Sequence, residues 1–153
     1  MSATERLAAL GLELPAVPAP AAAYQPYAVS GALVLTAGQL PIVDGSLLRT
    51  GKLGEELTTD DGVELARTAG LNVLAIAAAA AGDLEHVRVV KLTAFVASSP
   101  AFTEQHLVAN GASNLIGDVL GDHGVHARSA VGVTVLPMDS PVEVEAILEI
   151  VGR

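Results

Sequence analysis

The chain contains no cysteine, which excludes disulfides, thiolate nucleophiles and cysteine-ligated metals. Tryptophan is also absent, and all aromatic residues together make up only 3% of the sequence, leaving few rings on which a nucleobase could stack. Basic residues are scarce: eight Lys and Arg face seventeen Asp and Glu, for a formal net charge of −9. A protein that binds a phosphate backbone places cations against it, and no run of Lys or Arg is present, so nucleic acid and anionic membrane surfaces are poor partners. The first fourteen residues lack the continuous apolar core of a signal peptide. The most apolar window, Leu71 to Ala81, is about half of what a bilayer span needs. These absences predict a cytoplasmic protein without membrane or nucleic-acid partners.

Half of the residues are apolar, so the core must be built from Ala, Val, Leu and Ile, whose small side chains let elements approach closely. A length of 153 residues suits one domain that buries about two-thirds of its unfolded surface. Residues 1–153 are expected to form that single domain, with an N-terminal arm over 1–23. Met1 to Gly11 reads as a short helix. Leu14 to Ala23, with Pro15, Pro18 and Pro20, reads as an extended segment crossing the surface.

Downstream, apolar periodicity and punctuation predict a strand over Ala32–Ala37, bracketed by Gly31 and Gly38, and a turn at Asp44-Gly45. A helix capped by Thr58 or Thr59 should run to Ala81 and stop at Gly82. A strand over Val87–Ala97, a helix over Phe102–Leu120, and strands over Ser129–Leu136 and Val142–Val151 follow. This order points to an α+β architecture with two main helices packed on one face of a mixed sheet. Asn110-Gly111 is odd inside the second helix, since glycine there costs about 1 kcal/mol relative to alanine; a helix interruption or a functional turn would explain it.

Arg128 stands at the mouth of a predicted strand. Its guanidinium stays charged and offers a planar fork suited to a carboxylate, although an ordinary surface salt bridge fits the position equally well. On the last strand Val142, Val144, Ala146, Leu148 and Ile150 alternate with Glu143, Glu145 and Glu149. The acidic side must meet solvent, a charged partner or another subunit. If the last two strands form a hairpin centred near Asp139, Glu143 lies opposite Val135, about 23 Å along the strand from Arg128. A site using both residues would then need a neighbouring chain. The four histidines (His86, His106, His123 and His126) lack metal-ligand spacing, and no P-loop, dinucleotide fingerprint or nucleophile elbow is present. No metal is expected.

Pro26-Tyr27, Ala37-Gly38-Gln39-Leu40-Pro41, Asn72, Lys91-Leu92-Thr93-Ala94-Phe95-Val96, Asn110, Ala127-Arg128-Ser129, and Leu136-Pro137 followed by Val142 to Ile147 together resemble the RidA/YjgF family. The resemblance runs from about Tyr24 to the C-terminus, and its last block is the most specific. It implies a chorismate-mutase-like α+β fold, a homotrimer with clefts between subunits, and cofactor-independent hydrolysis of reactive enamines and imines such as 2-aminoacrylate to 2-keto acids and ammonia. Carried over by position, Arg128 would bind the substrate carboxylate, and Glu143 or Tyr27 would orient the attacking water. Gly38, Asn110 and Ala37 would line the cleft. Ala37 departs from the serine of many members, and Pro26-Tyr27 continues as Ala28-Val29 rather than a polar pair. These departures and the long segment from Asp44 to Glu56 resemble a divergent, long-form branch. A non-catalytic trimer sensing a keto acid or amino acid is the alternative. Ribonuclease action, a label also attached to the family, fits poorly with the acidic charge and the lack of an evident histidine pair.

Overall fold

The computed structural model describes residues 1–17 and 23–152; the central part of the expected extended segment, with Pro18 and Pro20, lies outside them. A helix at Ala3–Ala9 (α1) opens the chain, held by a capping box between Ser2 and Glu5. The carboxylate of Glu85 also accepts hydrogen bonds from the backbone N–H groups of Ala3 and Thr4, at 3.1 and 3.2 Å. Leu7 and Ala3 are buried in the common core, so this helix is an integral part of the packing.

Two short strands follow, Tyr27–Ser30 (β1) and Leu33–Thr36 (β2), paired antiparallel with Tyr27 opposite Thr36. Sequence reading anticipates only the second, because β1 is short and mostly exposed. Ile42–Val43 (β3) and Ser46–Leu47 (β4) form a small hairpin around Asp44-Gly45, both with positive φ, as the two-residue turn demands. The long helix Thr59–Ala81 (α2) starts at Thr58 in a capping box with Asp61 and ends at a left-handed Gly82. Its length and apolar composition would suit a bilayer span, but its buried side packs into the core. It is a core helix.

Val87–Ala97 (β5), Gln105–Leu120 (α3), Ala127–Val133 (β6) and Val142–Ile150 (β7) complete the chain. The sheet has five strands in the order β1-β2-β7-β5-β6. Strands β5 and β6 are parallel, joined through α3, and the other neighbours are antiparallel. Helices α2 and α3 cover one face, where Val142, Val144, Ala146 and Leu148 of β7 and Leu92, Ala94 and Val96 of β5 are buried. The expected mixed sheet with two main helices on one face is therefore present.

One expectation fails. The last two strands do not form a hairpin, because β7 inserts between β2 and β5, and β5 separates it from β6. The connection through Pro137 and Pro141 steps across the end of β5, where Ala97 N–H donates to the Pro141 carbonyl at 2.9 Å. Strand β6 also starts earlier than expected, so Arg128 lies inside it, level with Leu92.

Asn110-Gly111 interrupts nothing: α3 is continuous. A Cβ at Gly111 would overlap the backbone carbonyl of Val63, and one at Gly70 would stand 3.0 Å from the Ala112 Cα. Glycine is required because the two helices cross nearly backbone to backbone, and close approach outweighs its cost in a helix.

Candidate functional site

Register determines the site's geometry. Leu35 pairs with Ile147, and Gln39 pairs with Val144. The first chain advances four residues while the second advances three, so one extra residue bulges between them. The Thr36 hydroxyl fills the gap by accepting the Ala146 N–H at 3.0 Å. The Ala37 N–H donates to the Pro26 carbonyl at 2.8 Å. Gly38 lies against the side chain of Glu143; a Cβ there would overlap the carboxylate. On α2, the Asn72 side chain donates to the carbonyls of Leu40 and Ile42, at 2.9 and 3.1 Å, and so pins the segment that follows.

Glu143 leaves β7 on the face away from the helices and is partly buried. Burial, and then the charge of Glu145 on the same face, raise its pKa above the usual carboxylate value of 4.5. A carboxyl shifted this way holds a proton more readily at moderate pH and can exchange it with a substrate.

Arg128 leaves β6 on the opposite face, toward α3. Its Nη1 donates to Asn110 Oδ1 at 2.9 Å and to Ser113 Oγ at 3.1 Å. Its Nη2 donates to the His106 carbonyl at 3.0 Å. Three of the five guanidinium N–H groups therefore go to neutral oxygens. The ion pairs among the described residues are Arg49–Asp61, Asp83–His86 and Arg88–Glu149; Arg128 takes part in none. The ordinary salt-bridge reading of this arginine is thus excluded among these residues. Two donors remain, as many as a carboxylate engages when bound by both oxygens.

The structure brings Arg128 together with Asn110, and Glu143 together with Gly38. It does not unite the pairs. Arg128 is level with Leu92 and Glu143 with Phe95. The two residues are thus offset by three residues and two strand spacings, or about 14 Å between Cα atoms, with side chains on opposite faces. The hairpin-based separation of about 23 Å is superseded. Tyr27 lies on β1, half-buried against the core, on the helix side of the sheet with its partner Thr36.

Ser113 and His126 escape sequence reasoning. Ser113 Oγ bridges Arg128 to His126 Nε2, which lies 3.0 Å away. One signal was available: Asn110 and Ser113 are spaced i, i+3 and so share a helix face. A second feature missed is an open cavity of about 480 Å³ farther along β6, between Lys52, Ser98, Phe102, Gln105 and Gly132. Among the described residues no cluster of three or more His, Asp or Glu side chains is arranged to hold a metal.

This fold and these residues define a small α+β sheet protein with an arginine on its edge strand and acidic side chains on the open face of the sheet. Residues 4–150 match the family described as "YjgF/chorismate_mutase-like, putative endoribonuclease", and the chain belongs to that YjgF/RidA family. Protein TCP17 of Trypanosoma cruzi is 51% identical over 143 residues, covering 92% of this chain and 89% of the relative. The crystal structure of Atu1372 from Agrobacterium tumefaciens, a protein of unknown function, is 46% identical with a TM-score of 0.89, covering 97% of this chain and 94% of the other. Escherichia coli TdcF, crystallised with bound serine, is 26% identical with a TM-score of 0.62, covering 90% and 93%.

Proposed function

We propose that this protein hydrolyses small, carboxylate-bearing enamines and imines, of which 2-aminoacrylate is the simplest, to 2-keto acids and ammonia. The observation that carries this reading is the state of Arg128: its guanidinium is held by three neutral oxygens and has no carboxylate partner among the described residues. Serine bound to the similar TdcF is a small molecule with a carboxylate, and supports a ligand of that class here.

In the proposed reaction the enamine takes a proton from solvent at its terminal carbon and becomes the protonated imine. Arg128 fixes the carboxylate. Glu143, or Tyr27, orients a water; as the water adds to the imine carbon, Glu143 accepts its proton. Glu143 returns that proton to the carbinolamine nitrogen, the C–N bond breaks to release ammonia, and the hydroxyl proton passes to solvent as the ketone forms. Gly38, Asn110 and Ala37 line the cleft. No cofactor or metal enters the scheme, and positioning supplies most of the rate.

Arg128 and Glu143 point from opposite faces of one sheet, so a small ligand touching both requires two copies of the chain. We therefore place the cleft between subunits of a homotrimer. The open sheet face carries exposed Leu33, Leu35 and Val131, apolar surface that a neighbouring copy would cover. The proposed setting is the cytoplasm, without nucleic-acid or membrane partners.

The test is to generate 2-aminoacrylate in situ and follow pyruvate release. Equal rates for wild type and Arg128→Ala would overturn the reading. A non-catalytic sensor of keto or amino acids is the second reading, favoured by the absence of a hydroxyl at Ala37. It predicts saturable, Arg128-dependent pyruvate binding without turnover.

A further inference from the structure

We infer that Ser113 and His126 are positioning residues that hold the Arg128 guanidinium in the orientation in which it meets a carboxylate. The inference rests on the reading of Arg128 as the anchor. His126 Nδ1 lies 2.6 Å from the Gly124 carbonyl oxygen. A carbonyl can only accept, so Nδ1 carries the ring hydrogen and Nε2 of the neutral imidazole is an acceptor. The partner of Nε2 is Ser113 Oγ at 3.0 Å, so the serine hydroxyl donates its only proton to His126. Its lone pairs then face Arg128 Nη1, which donates to it at 3.1 Å.

The order of donors runs one way, from guanidinium to hydroxyl to imidazole to backbone carbonyl. Without His126 the hydroxyl proton is free to rotate toward Arg128, where it opposes the guanidinium hydrogens. With His126 in place, Nη1 has both of its hydrogens occupied, by Asn110 and Ser113, and the guanidinium cannot swing about its long side chain. The anchor of the chain is a turn: Gly124 is buried, and a Cβ there would meet the Ile116 carbonyl at 2.7 Å, so its carbonyl is fixed against α3. The tight turn at 121–124 thus sets the direction of a charged side chain on the neighbouring strand.

Pyruvate is the probe, with binding to the full-length protein followed by calorimetric titration and turnover followed on 2-aminoacrylate generated in situ. Ser113→Ala is expected to weaken pyruvate binding about tenfold, the effect of one hydrogen bond to a charged group, and to leave kcat within about twofold. His126→Asn, whose amide reaches the Gly124 carbonyl but not Ser113, should weaken binding to a similar degree. His126→Gln, whose amide reaches the Nε2 position, should recover most of the loss. The double variant Ser113→Ala/His126→Asn should bind no more weakly than either single variant, since both break one chain.

Unchanged pyruvate affinity in Ser113→Ala would overturn the inference. So would strictly additive losses in the double variant, or no difference between His126→Gln and His126→Asn. Arg128→Ala separates the two levels. If it abolishes binding while Ser113→Ala binds normally, the anchor stands and the positioning chain falls. If Arg128→Ala binds pyruvate like wild type, the anchor reading falls as well.

Discussion

Arg128 and Glu143 differ in how completely one chain builds their surroundings. Arg128 lies on the helix side of an edge strand with three of its N–H groups fixed by α3. Glu143 lies on the uncovered side of an interior strand, against the bare Cα of Gly38 and beside a second carboxylate. The cation is oriented by neutral dipoles at little electrostatic cost. The acid is partly desolvated and repelled. One half of the proposed site is thus preformed in the chain, while the other carries a carboxyl whose pKa is raised by burial and by Glu145, and it gains from a ligand or neighbouring subunit that supplies donors.

The largest expected effect comes from removing the preformed half. Arg128→Ala should lower the pyruvate-release rate at subsaturating substrate by about 10³-fold, the scale for losing a buried charged contact. Its melting temperature should stay close to wild type, and calorimetry alongside the assay checks both. Glu143→Gln should lower kcat by about 10²-fold, as for loss of a general acid–base group. In wild type, activity that needs the carboxylate should rise with pH through a value above 4.5, and this limb should vanish in the variant. A flat wild-type pH profile with an active Glu143→Gln would break the contrast.

Gly38→Ala tests contact without removing a functional group. The added Cβ overlaps the Glu143 carboxylate, so the side chain must move; kcat should fall about tenfold while pyruvate affinity, set by Arg128, holds. The smallest effect is on stability. Because the folded pKa of Glu143 is raised, the folded state binds its proton more tightly than the unfolded chain, and stability is lost as pH rises from the ordinary glutamate range through the raised value. Glu143→Gln should therefore melt about 1–2 °C above wild type at neutral pH, with the gain disappearing below about pH 4. A variant that melts lower at pH 7 would mean that the carboxylate is stabilised in the folded protein.

Much of the fold was legible in local chemistry. Thr58, Gly82 and Asp44-Gly45 each announce a cap or turn through one residue's backbone preference, and each occurs where expected. The long-range pairing was not legible. Nothing between Leu136 and Val142 distinguishes a hairpin from a step across β5, because both leave the alternating pattern of β7 intact. Gly111 looked like a weakness, since the reason for it, the Val63 carbonyl, lies on another helix. Arg128 could be singled out by charge and position, but its partners Asn110 and Ser113 could be named only once α3 was placed beside β6. Ser113 and His126 carry no motif, and their connection exists only in three dimensions.

The extra residue between Leu35 and Gln39 also governs which changes of chain length the protein tolerates. Residues can be gained or lost in the hairpin around Asp44-Gly45 without altering any strand partner in the main sheet. Losing a single codon from 36–38 is different: Gly38 could no longer reach Glu143 unless the first strands slid by one position. Such a slide would turn Leu33 and Leu35 inward and Val34 out. A library of single-codon deletions should accordingly be permissive at 44–48 and intolerant at 36–38, so lineages can vary the length of one loop but must inherit that of the other.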